Sequence, residues 1–235
     1  MRPGFFFSIS ALVSAVWAAE APVELFSGND LSGWRMPMGT WSAVENVVVD
    51  PANLKAFLAK PGAGVLLNSA GGKTVDALTE GEFGDCELRL EFCVPKGSNS
   101  GVYIMGRYEV QIFDSFGKKE VTSSDCGGIY ERWKDNRGYE GHAPKVNASR
   151  PPGEWQSFEI TFRAPRFDAS GRKIENARFV KVLLNGQVVQ ENVEVTGPTR
   201  SARFHDEKPV GPLMLQGDHG PVALRNIRLT PVAKP

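Results

Sequence analysis

Asn99-Ser-Gly-Val-Tyr-Ile-Met-Gly-Arg-Tyr-Glu-Val-Gln-Ile-Phe-Asp114 reads as two strands, Gly101 to Met105 and Tyr108 to Phe113. In the second, side chains alternate across the sheet, so Glu109 and Gln111 share one face while Val110 and Ile112 share the other. A sheet with one apolar face must bury it, and a second antiparallel sheet stacked on the first is the simplest solution. A later stretch, Gly211-Pro-Leu-Met-Leu-Gln-Gly-Asp-His-Gly220, repeats the pattern: Leu213 and Leu215 face one way, Met214 and Gln216 the other, and Asp218-His219 follow at the strand end. Alternation alone favours an ordinary solvated face. The same carboxylate, amides and imidazole, gathered on one sheet surface, would equally suit a polyhydroxylated ligand.

Working outward, β-branched and aromatic runs recur between turn signals from Trp41-Ser-Ala-Val44 to Val222-Ala-Leu-Arg225, which is an all-β pattern. Asn185-Gly186, set between Phe179-Val-Lys-Val-Leu-Leu184 and Gln187-Val-Val-Gln190, predicts a two-residue hairpin because both residues tolerate positive φ. Glu87, Arg89 and Glu91 alternate with Leu88, Leu90 and Phe92, which predicts one charged, exposed face. Asp50-Pro-Ala-Asn-Leu-Lys-Ala-Phe-Leu-Ala59 is compatible with one short helix, and residues from Lys118 through Pro152 read as a long excursion with little strand pattern. Loops of that length in a compact domain are usually functional or mobile.

Arg2, the apolar run from Phe5 to Trp17 and the small residues around Ala18-Ala19 predict a secretory leader over residues 1–19, with one β domain over 20–235. The run is too short for a membrane span. The expectation is an exported protein, periplasmic or extracellular, with no membrane span after cleavage. The 27 basic and 27 acidic side chains balance, and removing Arg2 leaves a net charge of −1. No basic excess points to nucleic acid.

Cys86 and Cys93 fall on one predicted strand at an odd offset, on opposite faces and roughly 20 Å apart, so they cannot bridge each other. Cys126 could pair with one of them after export, but three buried or free thiols are the simpler expectation. There is no Gly-rich phosphate loop, no paired-cysteine zinc spacing and no nucleophile-elbow serine. His142 reads as a loop histidine and His205, among Arg203, Asp206, Glu207 and Lys208, as a solvated one. His219 differs because Gly217 and Gly220 lie on both sides of it at a strand end, where a ligand could approach the backbone; it could serve as a base, a metal ligand or simply a turn histidine. Asp114 could form a carboxylate pair with Glu109, and Arg225-Asn226 could either bind ligand or stitch a loop to the sheet.

These segments resemble the family named for 3-keto-disaccharide hydrolase activity, formerly a domain of unknown function, over nearly all of the chain after the leader. The resemblance runs through Glu24-Leu-Phe-Ser-Gly-Asn-Asp-Leu-Ser-Gly-Trp34, Gly84-Asp-Cys-Glu-Leu-Arg-Leu-Glu-Phe92, Asn99-Ser-Gly-Val-Tyr103 and Tyr108-Glu-Val-Gln-Ile-Phe-Asp114. It continues through Pro152-Gly-Glu-Trp-Gln156, Leu184-Asn-Gly186, Gly211-Pro-Leu-Met-Leu-Gln216, His219-Gly220 and Arg225-Asn-Ile227. It implies a concanavalin-like, two-sheet antiparallel jelly roll in exported bacterial proteins that process carbohydrate, including glycosides oxidised to a ketone at sugar carbon 3. It brings forward His219, Glu109 and Asp114 as catalytic candidates, and Gln111, Gln216, Arg225, Asn99 and Tyr130 as substrate-binding ones.

Two departures stand out: Gln216-Gly-Asp-His219, where some members have a shorter Gln-Asp-His, and extra residues between Tyr130 and Pro144. Chemically, a carbon 3 ketone acidifies the carbon 2 proton, so His219 or Glu109 could remove it and expel the carbon 1 substituent. Arg225, Gln111 or a bound divalent metal could stabilise the enolate. The competing expectations are a non-catalytic carbohydrate-binding module and, more remotely, an interaction domain of an extracellular assembly.

Overall fold

The computed structural model describes residues 21–232; the expected leader over residues 1–19 lies outside them. Among the described residues all regular elements are strands. The larger sheet contains β1 (Val23–Phe26), β2 (Ser42–Asp50), β3 (Asn53–Leu67), β5 (Cys86–Cys93), β10 (Gln156–Arg163), β13 (Ala177–Leu184), β14 (Gln187–Val195) and β16 (Ala223–Pro231). The smaller contains β4 (Ala77–Phe83), β6 (Asn99–Ile104), β7 (Tyr108–Phe113) and β15 (Gly211–Leu215), in the order β4-β15-β6-β7. Short hairpins β8 (Arg132–Lys134) with β9 (Arg137–Tyr139), and β11 (Arg166–Phe167) with β12 (Lys173–Glu175), extend from this frame. The pairs within both sheets are antiparallel, and the protein is a jelly-roll β-sandwich.

Alternation builds the core between the sheets. Val102, Ile104, Val110, Ile112, Leu213 and Leu215 of the smaller sheet join Leu88, Leu90, Phe92, Phe158, Ile160 and Leu229 of the larger in one buried cluster. Phe92 stacks on Phe158 with ring centroids 4.8 Å apart, and Tyr108 meets Phe162 at 5.4 Å. On the outer face of β5, Glu87 and Arg89 are exposed while Glu91 is half-buried. Asn185 and Gly186 take φ of 53° and 79° and join β13 to β14 in the expected two-residue turn.

The helix expected over Asp50 to Ala59 does not form; this segment is the turn and first half of β3. Asp50 accepts from the Ala52 amide at 2.8 Å and closes a tight turn, after which Phe57 pairs with Val49 and Leu58 with Val48. A helix would have left the β-branched run Val47-Val48-Val49 without a partner strand, and Phe57, now buried, without a core. Nor is the excursion from Lys118 to Pro152 devoid of strand: it holds β8 and β9, and residues 127–130 run beside β7 as an irregular extra row.

The three thiols are buried and unpaired, with Cys86 and Cys126 in the inter-sheet core and Cys93 in the cluster on the opposite face of the larger sheet. Burial pushes all three up to about 12, which keeps them as unreactive thiols.

Candidate active site

The second face of the smaller sheet is polar, but it is not solvated. Antiparallel register sets Tyr103 opposite both Glu109 and Met214, and Gly101 opposite Gln111, so these side chains share the face turned away from the core. Two segments cover them. Residues 127–130 pair along β7: the Gly127 amide donates to the Gln111 carbonyl at 2.9 Å, and the Tyr130 amide to the Glu109 carbonyl at 3.2 Å. From the other side a strap crosses the turn between β6 and β7, held by the Thr199 amide on the Arg107 carbonyl at 2.9 Å and the Arg203 amide on the Gly106 carbonyl at 3.0 Å. The nearly buried Arg107 guanidinium fastens this strap by donating to the Asp206 carboxylate at 2.9 Å.

Between these covers lies a cavity of about 280 Å³. Four of its lining residues, Asn99, Glu109, Gln111 and Gln216, each carry a buried side-chain oxygen with no hydrogen-bond partner. Unpaired buried oxygens are costly, about 1–3 kcal/mol each, so four converging on one cavity mark a surface shaped for a ligand rich in hydroxyl donors. Glu109 is the floor. Burial pushes its carboxyl up to about 8; the Tyr103 hydroxyl beside it opposes that rise, and the charges of Asp76 and Asp218 add to it. The Tyr103 hydroxyl lies 3.4 Å from the Arg200 carbonyl, and burial raises it well above the usual phenol value.

The Glu109 side chain fits because residue 101 has none. A Cβ at Gly101 would stand 2.2 Å from Glu109 Oε1 and 3.0 Å from its Cγ. A glycine in a strand interior is the signal for such a close approach. Gly101→Ala is therefore expected to leave the sandwich folded but swing the carboxylate aside, cutting turnover about a hundredfold, since a misplacement near 1 Å costs about that much. A variant with wild-type turnover and unchanged stability would contradict this packing.

At the mouth stands His219, exposed, with Nδ1 against the Asp218 carboxylate. Its loop is pinned from below. Buried Asn68 donates to the carbonyls of Gly217 at 3.0 Å and Gly220 at 2.8 Å, and its own oxygen accepts from the amides of Val222 at 2.9 Å and Ser69 at 2.8 Å. Ser98 and Ser100 donate to the Pro221 and Gln216 carbonyls at 2.7 and 2.8 Å. Arg200, whose guanidinium lies 3.7 Å from the Trp133 ring centroid, is the cation of the lining.

Six of the eight residues expected from the sequence thus meet at one cavity: His219, Glu109, Gln111, Gln216, Asn99 and Tyr130. Two do not. Asp114 sits just past the end of β7, five residues on from Glu109 and roughly 17 Å away at strand rise, and accepts from the Gly97 amide at 2.8 Å, too far for a two-carboxylate glycosidase pair. Arg225 belongs to β16 in the other sheet, where it pairs with Glu91 at 2.7 Å and lies 4.0 Å from the Trp155 ring centroid; it ties β16 to its neighbour β5 within that sheet and not, as expected, a loop to the sheet. His142 is half-buried, and its backbone bridges to Ile129.

Sequence reasoning missed Arg200, Tyr103, Gly101, Asp76 and Asn68. Of these only the mid-strand glycine carried a local signal. The divalent metal considered from the sequence finds no ligand set: among the described residues no three His, Cys, Asp or Glu side chains gather to hold an ion.

A family model described as the 3-keto-alpha-glucoside-1,2-lyase-like domain matches residues 21–230. Two crystal structures of candidate glycosyl hydrolases from Parabacteroides distasonis ATCC 8503 are similar in fold. One has a TM-score of 0.65 and 25% identity, covering 94% of this chain and 93% of its own. The other has a TM-score of 0.58 and 22% identity, covering 89% and 98%. Among curated proteins none matches.

Proposed function

Because the chain belongs to the 3-keto-alpha-glucoside-1,2-lyase-like family, we propose that it is an exported enzyme cleaving glycosides oxidised to a ketone at sugar carbon 3. The observation that carries this reading is the Glu109 carboxyl, wholly buried and unpaired at one oxygen, on the floor of a cavity that it shares with the unpaired amide oxygens of Asn99, Gln111 and Gln216. A binding module gains nothing from holding such a group. A base that must take a proton from carbon gains basicity from the same burial.

Ionised Glu109 takes the proton from carbon 2, and the C–H electron pair moves into a C2=C3 enolate. The charge developing on the ketone oxygen is met by the Arg200 guanidinium and the Tyr103 hydroxyl. Collapse of the enolate restores the ketone, forms a C1=C2 double bond and expels the carbon 1 oxygen, which takes a proton from His219 oriented by Asp218. Water adding at carbon 1, with a proton returned to carbon 2, makes the net reaction a hydrolysis. Asn99, Gln111 and Gln216 accept from the remaining sugar hydroxyls.

The test is product analysis with methyl 3-keto-α-glucoside and its unoxidised counterpart in D2O. Expected are loss of the keto sugar alone and deuterium at carbon 2. Equal cleavage of both sugars would overturn the elimination, and binding of either without cleavage would make the protein a carbohydrate-binding module. For His219→Ala the expected loss is about a hundredfold on an alkyl leaving group and far less on 4-nitrophenolate, which needs no proton. Equal losses on both would remove His219 from leaving-group protonation.

A further inference from the structure

The extra residues between Tyr130 and Pro144 fold into the β8–β9 hairpin, which no step of the proposed reaction uses. Asp135 and Asn136, at φ of 50° and 58°, make its two-residue turn, and Trp133 pairs with Gly138 across it. At its base Arg132 is bonded to Thr196 and donates to the Glu140 carboxylate at 3.2 Å, with its guanidinium 5.0 Å from the Tyr139 ring centroid. The missing side chain at Gly138 makes room for Glu131, whose carboxylate fills the space a Cβ would take. The Glu131 carbonyl in turn accepts from the Arg200 amide at 2.8 Å, which joins hairpin to strap beside the cavity and sets Trp133 against the Arg200 side chain.

That side chain is held unlike its counterparts. Arg107, Arg132, Arg166 and Arg225 each spend donors on a carboxylate. Arg200 is exposed, lines the cavity and forms no side-chain hydrogen bond or ion pair among the described residues; the Trp133 ring centroid, 3.7 Å away, is what faces its guanidinium. An aromatic face holds a guanidinium by its plane, which leaves the N–H donors at the edge free and the charge unneutralised. A carboxylate in that place would take two donors and cancel the field that an enolate needs. With nothing in that place, an exposed arginine would spread over many rotamers.

Resting on the function proposed above, we infer that Trp133 is a positioning residue of the reaction: its ring fixes the plane of the Arg200 guanidinium so that the free donors meet the ketone oxygen as charge builds on it. Trp133 itself touches no substrate. Because the bound keto sugar does not yet carry the enolate charge, the gain falls on kcat and not on KM.

The experiment is steady-state kinetics on 4-nitrophenyl 3-keto-α-glucoside, whose leaving group departs readily and leaves proton removal as the slow step. Trp133 is 42% exposed and outside the core, so its variants should fold as the parent does. Trp133→Leu is expected to lower kcat about tenfold with KM within twofold of the parent, while Trp133→Phe, which keeps an aromatic face, stays within threefold. In an Arg200→Ala background Trp133→Leu should change kcat less than twofold, as a residue acting only through Arg200 must. Unchanged kcat in Trp133→Leu, an equal loss in Trp133→Phe, a rise in KM alone, the full loss persisting without Arg200, or a Trp133→Leu protein that does not fold would each overturn the positioning role and leave the proposed function standing. A parent protein that does not cleave the keto sugar would overturn both.

Discussion

Replacing Glu109 with glutamine is expected to lower turnover of a 3-keto-glucoside by 10²- to 10⁴-fold, the range for loss of a positioned general base, without weakening the fold. The second half separates a catalytic carboxyl from a structural one. Burial holds the Glu109 carboxyl near 8 in the folded protein against 4.5 for an ordinary glutamate. A folded-state value raised in this way favours the protonated form, so its contribution to stability is fully present below pH 4.5. It is lost as pH rises through 8, by up to roughly 5 kcal/mol. Glutamine cannot ionise and escapes that loss. Glu109→Gln should therefore unfold at a higher temperature than the parent above pH 8, and the parent's kcat/KM on the 4-nitrophenyl 3-keto-glucoside, whose leaving group needs no proton, should climb with pH to a plateau above about 8. A variant keeping turnover within threefold of the parent, or one that fails to fold at neutral pH, would refute the assignment.

The largest stability effect is expected at Asn68. Three of its four hydrogen bonds hold residues 217–222, the loop that carries Asp218 and His219, to the end of β3, and the fourth holds the Ser69 amide. Asn68→Ala strands the Gly220 carbonyl and the Val222 amide in a buried setting, frees the half-buried Ser69 amide and leaves the Gly217 carbonyl with the Thr74 amide as its donor, which should cost about 3 kcal/mol or more in urea unfolding. Asn68 touches no substrate in this scheme and acts by positioning His219. Its effect on turnover should therefore shrink when measured in a His219→Ala background, as a double-mutant cycle reports. A stability loss under about 1 kcal/mol, or full additivity with His219→Ala, would sink this role.

Legibility in the sequence followed the range of the interactions involved. Tyr108-Glu-Val-Gln-Ile112 fixes which residues share a face because alternation is a property of one strand, and Val110 and Ile112 are accordingly in the core. Asn185-Gly186 announces its hairpin because positive φ is a property of two residues. Asp50 to Ala59 misled for the opposite reason: its composition tolerates a helix, and only the partner run Val47-Val48-Val49 makes it a strand. Asp114 as a carboxylate partner for Glu109 and Arg225 as a ligand donor are readings of residue type, which family likeness reinforced, yet one turns to the Gly97 amide and the other lies in the opposite sheet.

By itself the sequence determined an all-β sandwich, the inward and outward faces of its strands, and most of the side chains that line the cavity. It could not determine that the polar face of β7 is roofed. That roof comes from Thr199 to Arg203, some 90 residues away along the chain, and from 127–130, whose irregular backbone carries no periodic signal. Nor could it bring Arg200 and Asp76 to the site, since each stands outside the strands and arrives there only through pairing between distant segments. Tertiary structure alone decided whether Glu109 met water or a closed cavity. Strand periodicity specifies a direction for each side chain, whereas burial, and with it the basicity of a carboxylate, depends on what the rest of the chain lays over it.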